Sequence, residues 1–236
     1  MQSRFFKIGW KFIDIIFPPS CAGCGKWGER YCPTCFSNTR TISPNICQTC
    51  GEPFRKLNGS ICERCRNSDI FFTAVRSWAL FEDPLKIAIH NLKYQRNIGL
   101  GEVLAKPLAI ILVGTEWNID LITAVPLDHC RKKERGYNQS VFLARPLSWL
   151  TKIPFNEKAI FRVRNTRPQV GLSREERKEN MDGAFNCQSK LVNGKSILII
   201  DDVITTGSTL NACSKALIES GAEYVFGLTL ARSVHL

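Results

Sequence analysis

No apolar stretch in the 236-residue chain approaches the roughly 20 residues of a bilayer-spanning helix, so no integral membrane segment is expected. Acidic residues are scarce beside basic ones: 21 Asp+Glu stand against 32 Lys+Arg, a formal charge of +11. That excludes an acidic disordered chain, and the 44% hydrophobic content is enough to build a packed core. Histidine is nearly absent. Of His90, His129 and His235, none is placed for a recognisable nucleophile pair, and only His129 lies in a segment suited to touching phosphate. The G-x-x-x-x-G-K-[ST] and G-x-S-x-G patterns are missing, and Gly99 and Gly101 do not follow a strand. A P-loop nucleotidase, a hydrolase elbow and a Rossmann dinucleotide site are thereby excluded. Beyond residue 65, cysteine is sparse too: only Cys130, Cys187 and Cys213. The first residues do not read as a secretory signal, because Lys7, Lys11 and Asp14 break the apolar pattern and no small-residue cleavage site follows. A cytoplasmic, reducing location is therefore expected, where C-x-x-C pairs act as metal ligands rather than disulfides.

Eight of the 11 cysteines crowd between residues 21 and 65 as four C-x-x-C pairs: Cys21/Cys24, Cys32/Cys35, Cys47/Cys50 and Cys62/Cys65. Each pair suits a tight knuckle whose sulfurs point at one ion about 2.3 Å away, and two knuckles complete a tetrahedron. Two zinc sites are expected. Sequential pairing is simplest, and the spacing also permits an interleaved one. Protein would fill every ligand position, so these are closed, structural sites. Residues 20–70 lack long apolar periodicity and need such a staple, and zinc binding worth on the order of 10 kcal/mol per ion could supply it. The residues leave open whether the module is only a scaffold or also a surface for nucleic acid or protein. Ahead of it, Phe5, Ile8, Phe12 and Ile15 mark one face of an amphipathic helix stopped by Pro18 and Pro19. The chain thus divides into an N-terminal helix over 1–19, a Cys-rich zinc module over 20–69 and a larger domain over 70–236.

The basic excess is uneven. Residues 1–70 carry +5 and residues 129–180 carry +8, while 71–128 and 181–236 are each −1. Two tetrathiolate zinc sites, each −2, would lower the total to about +7. The protein stays basic, which favours an anionic partner or substrate.

From Ile70 onward the periodicity changes. Strands are expected over 71–81, 121–125, 197–200 and 224–230, and helices over 85–94, 100–113, 138–150 and 207–220. Alternation of this kind implies an α/β domain with a mostly parallel sheet and flanking helices.

The run Ile197-Leu198-Ile199-Ile200-Asp201-Asp202-Val203-Ile204 is a buried strand delivering two adjacent carboxylates, and Thr205-Thr206-Gly207-Ser208-Thr209 then opens a helix. Ligands of open α/β sheets bind at such strand ends. The loop's N–H groups and hydroxyls suit a phosphate, aided by the positive end of the helix. Carboxylates there would repel a bare phosphate, but they fit a sugar phosphate whose hydroxyls they accept. This fingerprint resembles that of the phosphoribosyltransferases: four apolar residues, two acids and a T-x-G-x-T loop.

A second strand leads into Val125-Pro126-Leu127-Asp128-His129-Cys130-Arg131-Lys132-Lys133-Glu134-Arg135-Gly136-Tyr137-Asn138-Gln139. With the stretch from Arg164 through Arg167 to Phe185, with Lys93-Tyr94 and with the Cys module, this run is similar to the ComF family of competence proteins over nearly the whole length. Asp128 departs from the family, where His is common. The resemblance implies a phosphoribosyltransferase-like core that binds phosphoribosyl pyrophosphate (PRPP) with Mg²⁺. Asp201 and Asp202 would take the ribose, and residues 205–209 (Thr205, Thr206, Gly207, Ser208 and Thr209) the 5′-phosphate. Arg131, Lys133, Arg135 and Arg167 would meet the pyrophosphate, with 164–171 as a closing loop. It also implies work in DNA uptake, on single-stranded DNA and beside a competence helicase, or else transfer of the phosphoribosyl group to a small acceptor. Glutamine-dependent amidotransfer is not expected, because no cysteine nucleophile stands in Met1-Gln2-Ser3.

Overall fold

The structure, a computed structural model, describes residues 18–54, 60–95, 97–164, 176 and 180–234. The expected N-terminal helix and Arg167 lie outside the described residues. In chain order the elements are α1 (Pro33–Asn38), α2 (Glu63–Arg66), β1 (Ala74–Leu80), α3 (Leu85–Tyr94), α4 (Ile98–Val113), β2 (Leu121–Ala124) and α5 (His129–Arg135). They continue with α6 (Gln139–Thr151), β3 (Ile160–Arg162), β4 (Phe185–Cys187), α7 (Ser189–Val192), β5 (Ser196–Ile204), α8 (Ser208–Glu219) and β6 (Tyr224–Arg232).

Four strands form a parallel sheet in the order β1-β6-β5-β2. Its centre is apolar on both faces because both are covered. Leu198 and Ile200 of β5 pack with Leu85 and Leu92 of α3, Leu104 of α4 and Leu143 of α6. Their neighbours Ile197 and Ile199 turn the other way, toward Leu210 and Leu217 of α8 and Ile160 and Phe185 of the β3–β4 ribbon. These four residues, Ile197 to Ile200, are fully buried.

The Cys-rich segment closes the open edge of β1. Val75 N–H donates to Thr49 O (2.7 Å), Ile42 N–H to Trp78 O (3.2 Å) and Leu80 N–H to Arg40 O (2.9 Å). These bonds occupy backbone groups that an exposed edge strand would present to other chains. At Gly51 (φ 73°) a Cβ would stand 2.6 Å from Val75 O, so only glycine permits this approach. Cys21, Cys32 and Cys35 join the core on one face of the sheet, and Cys47 and Cys50 join the core on the other.

Two features differ from the sequence reading. The basic segment after β2, for which the sequence gives no expected helix, contains the short helix α5. The antiparallel ribbon of β3 and β4 was not foreseen, because its three-residue strands carry too few side chains to show a period.

Candidate functional site

The eight N-terminal thiols gather into two groups, Cys21/Cys24/Cys32/Cys35 and Cys47/Cys50/Cys62/Cys65, each with its sulfurs within 4.8 Å of one another. The pairing is sequential. Sulfur separations are 3.5 Å for Cys21–Cys35 and 3.7 Å for both Cys24–Cys32 and Cys50–Cys62. Four sulfurs about 2.3 Å from a central zinc lie about 3.8 Å apart, so both donor sets fit that ion. Backbone N–H groups of Gly23 and Cys32 donate to Cys21 Sγ (3.4 and 3.3 Å), and that of Cys62 to Cys47 Sγ (3.3 Å). Such bonds favour the thiolate form that a metal needs.

The second group is tied to the sheet by charge. Arg64 Nη2 donates to Cys50 Sγ (3.2 Å) and to Glu52 Oε2 (3.1 Å). Arg232 at the end of β6, fully buried, donates to the same Glu52 oxygen from Nε (3.1 Å) and Nη2 (2.7 Å). A hydrogen bond with Cys65, then the charges of Arg232 and Arg64, hold the Cys50 thiol far below its usual range. Arg232 pairs in register with Ile204, the residue that leads into the hydroxyl-rich loop.

Asp201 and Asp202 lie inside β5 rather than at its tip, since Val203 and Ile204 still pair with Ala231 and Arg232. Different helices secure the two carboxylates. Asp201 Oδ1 accepts from Ser140 Oγ of α6 (3.1 Å) and from Asp202 N–H (2.9 Å). Asp202, 4% exposed, faces Lys93 of α3, whose Nζ stands 2.5 Å from Oδ2. Burial, then the Asp202 charge, pushes the Asp201 carboxyl up to about 8.

The loop then turns on Gly207, whose φ of 83° suits glycine, and Ser208 begins α8. Gly207 at the N-cap has no side chain to offer; Ser208 N–H donates to Thr206 Oγ1 (3.3 Å), and Thr206 Oγ1 and Ser208 Oγ lie 2.8 Å apart beside the first turn. Thr205 to Thr209 are all partly accessible. Thr206, Gly207 and Ser208 border a cleft of about 940 Å³ that is also lined by Cys50, Glu63, Arg64 and Cys65 at the second Cys group.

The basic residues separate by environment. Lys133 is exposed and Arg131 half-exposed, both on α5. Arg135 is buried: it donates to Gln139 Oε1 (3.0 Å) and Tyr94 OH (3.1 Å), and its guanidinium lies 4.8 Å from the Tyr94 ring centre. Asp128 is buried with Arg162 Nη1 3.8 Å away, so the carboxylate standing at this position has a local charge partner. Arg164 Nη2 donates to Asn180 O and Asp182 O (3.2 and 2.7 Å), tying together the two ends of the segment between β3 and β4. A second cleft of about 880 Å³ runs beside this ribbon, with Lys132, Arg145, Lys158 and Arg164 among its cations and Phe161 and Tyr137 among its rings.

Lys93 and Ser140 are the site residues that sequence reasoning did not assign. Lys93 belongs to a motif noted only for its resemblance, and Ser140 follows an Asn-Gln pair that reads as a helix start. Only the folded chain brings them against Asp202 and Asp201.

A parallel sheet, paired acids and a glycine-turned loop at a helix start define a phosphoribosyltransferase-type domain, here joined to two tetrathiol knuckle sites. Residues 99–235 match the family model of the phosphoribosyl transferase domain, and residues 12–66 match that of the double zinc ribbon domain. Competence protein F of Haemophilus influenzae is 35% identical over 158 residues, which span 64% of this chain and 69% of that protein. The DNA utilization protein YhgH of Escherichia coli is 33% identical over 159 residues, 65% of this chain and 70% of that one. Competence protein ComFC of Bacillus subtilis is 31% identical over 116 residues, 48% and 45% of the two chains. The chain belongs to the ComF family: a phosphoribosyltransferase domain carrying a double zinc ribbon. Among the described residues no helix is long and apolar enough to cross a membrane.

Proposed function

We propose that the chain binds PRPP with Mg²⁺ and serves in the uptake or utilisation of DNA, as the names of its relatives suggest. The observation that carries the first half is the pair Asp201–Asp202 in β5, followed through a hydroxyl-rich loop by a helix start at Gly207. Backbone N–H groups at that start would take the 5′-phosphate, and Asp201 and Asp202 would accept from the ribose hydroxyls. Arg131 and Lys133 would meet the pyrophosphate. Arg135, engaged with Gln139 and Tyr94, would reach it only by giving up those bonds. Mg²⁺ would be held mainly by substrate oxygens and water. Calorimetric titration with PRPP and Mg²⁺ should give binding in the wild type and at least a tenfold loss in D201N/D202N; equal heats in both proteins would sink this reading.

The cleft beside the β3–β4 ribbon favours a contact with single-stranded DNA. Its cations would follow the phosphate backbone and its rings would stack on bases. A transferase role remains the alternative, with the phosphoribosyl group passed to a small acceptor. Pyrophosphate release in the presence of an acceptor decides for it.

A further inference from the structure

We propose that Lys93 is a positioning residue for the acidic pair: its ammonium, seated on Asp202, fixes that side chain against α3 and leaves Asp201 as the member that turns to a sugar hydroxyl. The inference deepens the sugar-phosphate reading and rests on it. The two adjacent carboxylates of β5 meet different partners and so are not equivalent. Asp202 turns toward α3 and is 4% exposed, with the Lys93 Nζ 2.5 Å from its Oδ2. Lys93 is the last basic residue of α3, and its side chain is itself largely covered, at 23% exposure. Among the described residues the donors to Asp201 are neutral, the Ser140 hydroxyl and the Asp202 N–H.

The groups acting on the pair come from every side. Lys93 reaches it from α3 and Ser140 from α6; the buried Cys213 feels Asp201 from α8, with Arg162 of β3 beyond it. Lys93 and Arg162 are the cations of that set, and Lys93 is the one seated on a carboxylate of the pair. Burial and the Asp202 charge raise the Asp201 carboxyl, which agrees with a proton resting there in the ligand-free protein. Loss of the ammonium would leave two buried carboxylates without a countercharge, at a cost that grows as pH rises and both ionise.

The test needs no ligand. Melting temperatures of the full chain are compared from pH 5 to pH 8 for wild type, K93M, K93R and K93M/D202N. The gap between wild type and K93M should widen by about 4 °C toward pH 8, a shift expected from roughly one unit of proton affinity. K93R should close the gap, and K93M/D202N should lose its pH dependence. A gap that is constant with pH, or absent, overturns the proposal, because a merely packing role for the lysine stem predicts just that. Should K93M be unfolded throughout, recovery of folding in K93M/D202N supports the proposal and continued unfolding overturns it. Titration of the wild type with PRPP and Mg²⁺ is judged separately, so the site reading can fail there without touching the Lys93 result.

Discussion

Two neighbouring aspartates can be identical in type yet differ in chemistry, because Asp201 meets the Ser140 hydroxyl and Asp202 the Lys93 ammonium. Asp201 is raised to about 8 by burial and by the Asp202 charge. A carboxyl whose folded value lies above its unfolded one stabilises the fold at low pH and loses that contribution as pH rises toward 8. A ribose hydroxyl needs the ionised form as acceptor, so PRPP binding at pH 7 should release a proton. Titration at that pH in phosphate and in Tris should give apparent heats that differ by close to one proton's worth of buffer ionisation. At pH 9.5 the difference should vanish, and in D201N it should be absent at both. Equal heats in the two buffers at pH 7 would show that Asp201 is already ionised in the empty site. Asp128 carries the same lesson: its place near Arg162 gives it a charge partner that the bare sequence could not supply.

At the scale of elements, the hydroxyl-rich loop depends on one backbone angle. Gly207 sits at φ 83°, and a Cβ there would meet only Ile204 Cδ1, at an ordinary 3.6 Å. Alanine is therefore opposed by conformation and not by a clash, at about 1–2 kcal/mol. G207A should lower stability by about that amount in urea unfolding and weaken PRPP binding; unchanged values in both would show that the turn tolerates a side chain. The knuckles offer a second check. The chain should hold two zinc ions by elemental analysis, C32S or C62S should hold one, and either loss should lower the melting temperature. C62S should also disturb the phosphate loop, because Glu52 and Arg232 run from that site to the end of β5. Strand β5, its loop, α8 and the four knuckles were legible because each is a short contiguous pattern: a run of aliphatics, a glycine turn, a C-x-x-C. The ribbon of β3 and β4 was not, since three residues set no period. Neither was the Lys93–Asp202 pair, since its partners are far apart in the chain and meet only when α3 packs on β5. Sequential zinc pairing was one of two readings until the thiols were seen together.

At the scale of the whole molecule, the Cys-rich segment covers the β1 edge of the sheet, and positive charge concentrates where β2 and the ribbon end. The second cleft holds Lys132, Lys158 and Arg164, with Arg145 and Arg162 partly neutralised by Glu157 and Asp128. Three to five cations on a single strand imply that the logarithm of affinity falls with the logarithm of salt at a slope of about −2 to −3.5. Anisotropy of a labelled oligothymidine, followed across salt concentrations, should give that slope, and K132A/K158A should make it shallower; a flat response would exclude a backbone contact. Lys132 sits on α5 between Arg131 and Lys133, the residues assigned to the pyrophosphate. One short helix cannot offer the same charge to two anions at full strength. PRPP with Mg²⁺ should therefore weaken oligothymidine binding severalfold at fixed ionic strength, and D201N/D202N, unable to hold PRPP, should show no such effect. Independent binding in the wild type would mean that the cleft and the sugar-phosphate site draw on separate charges.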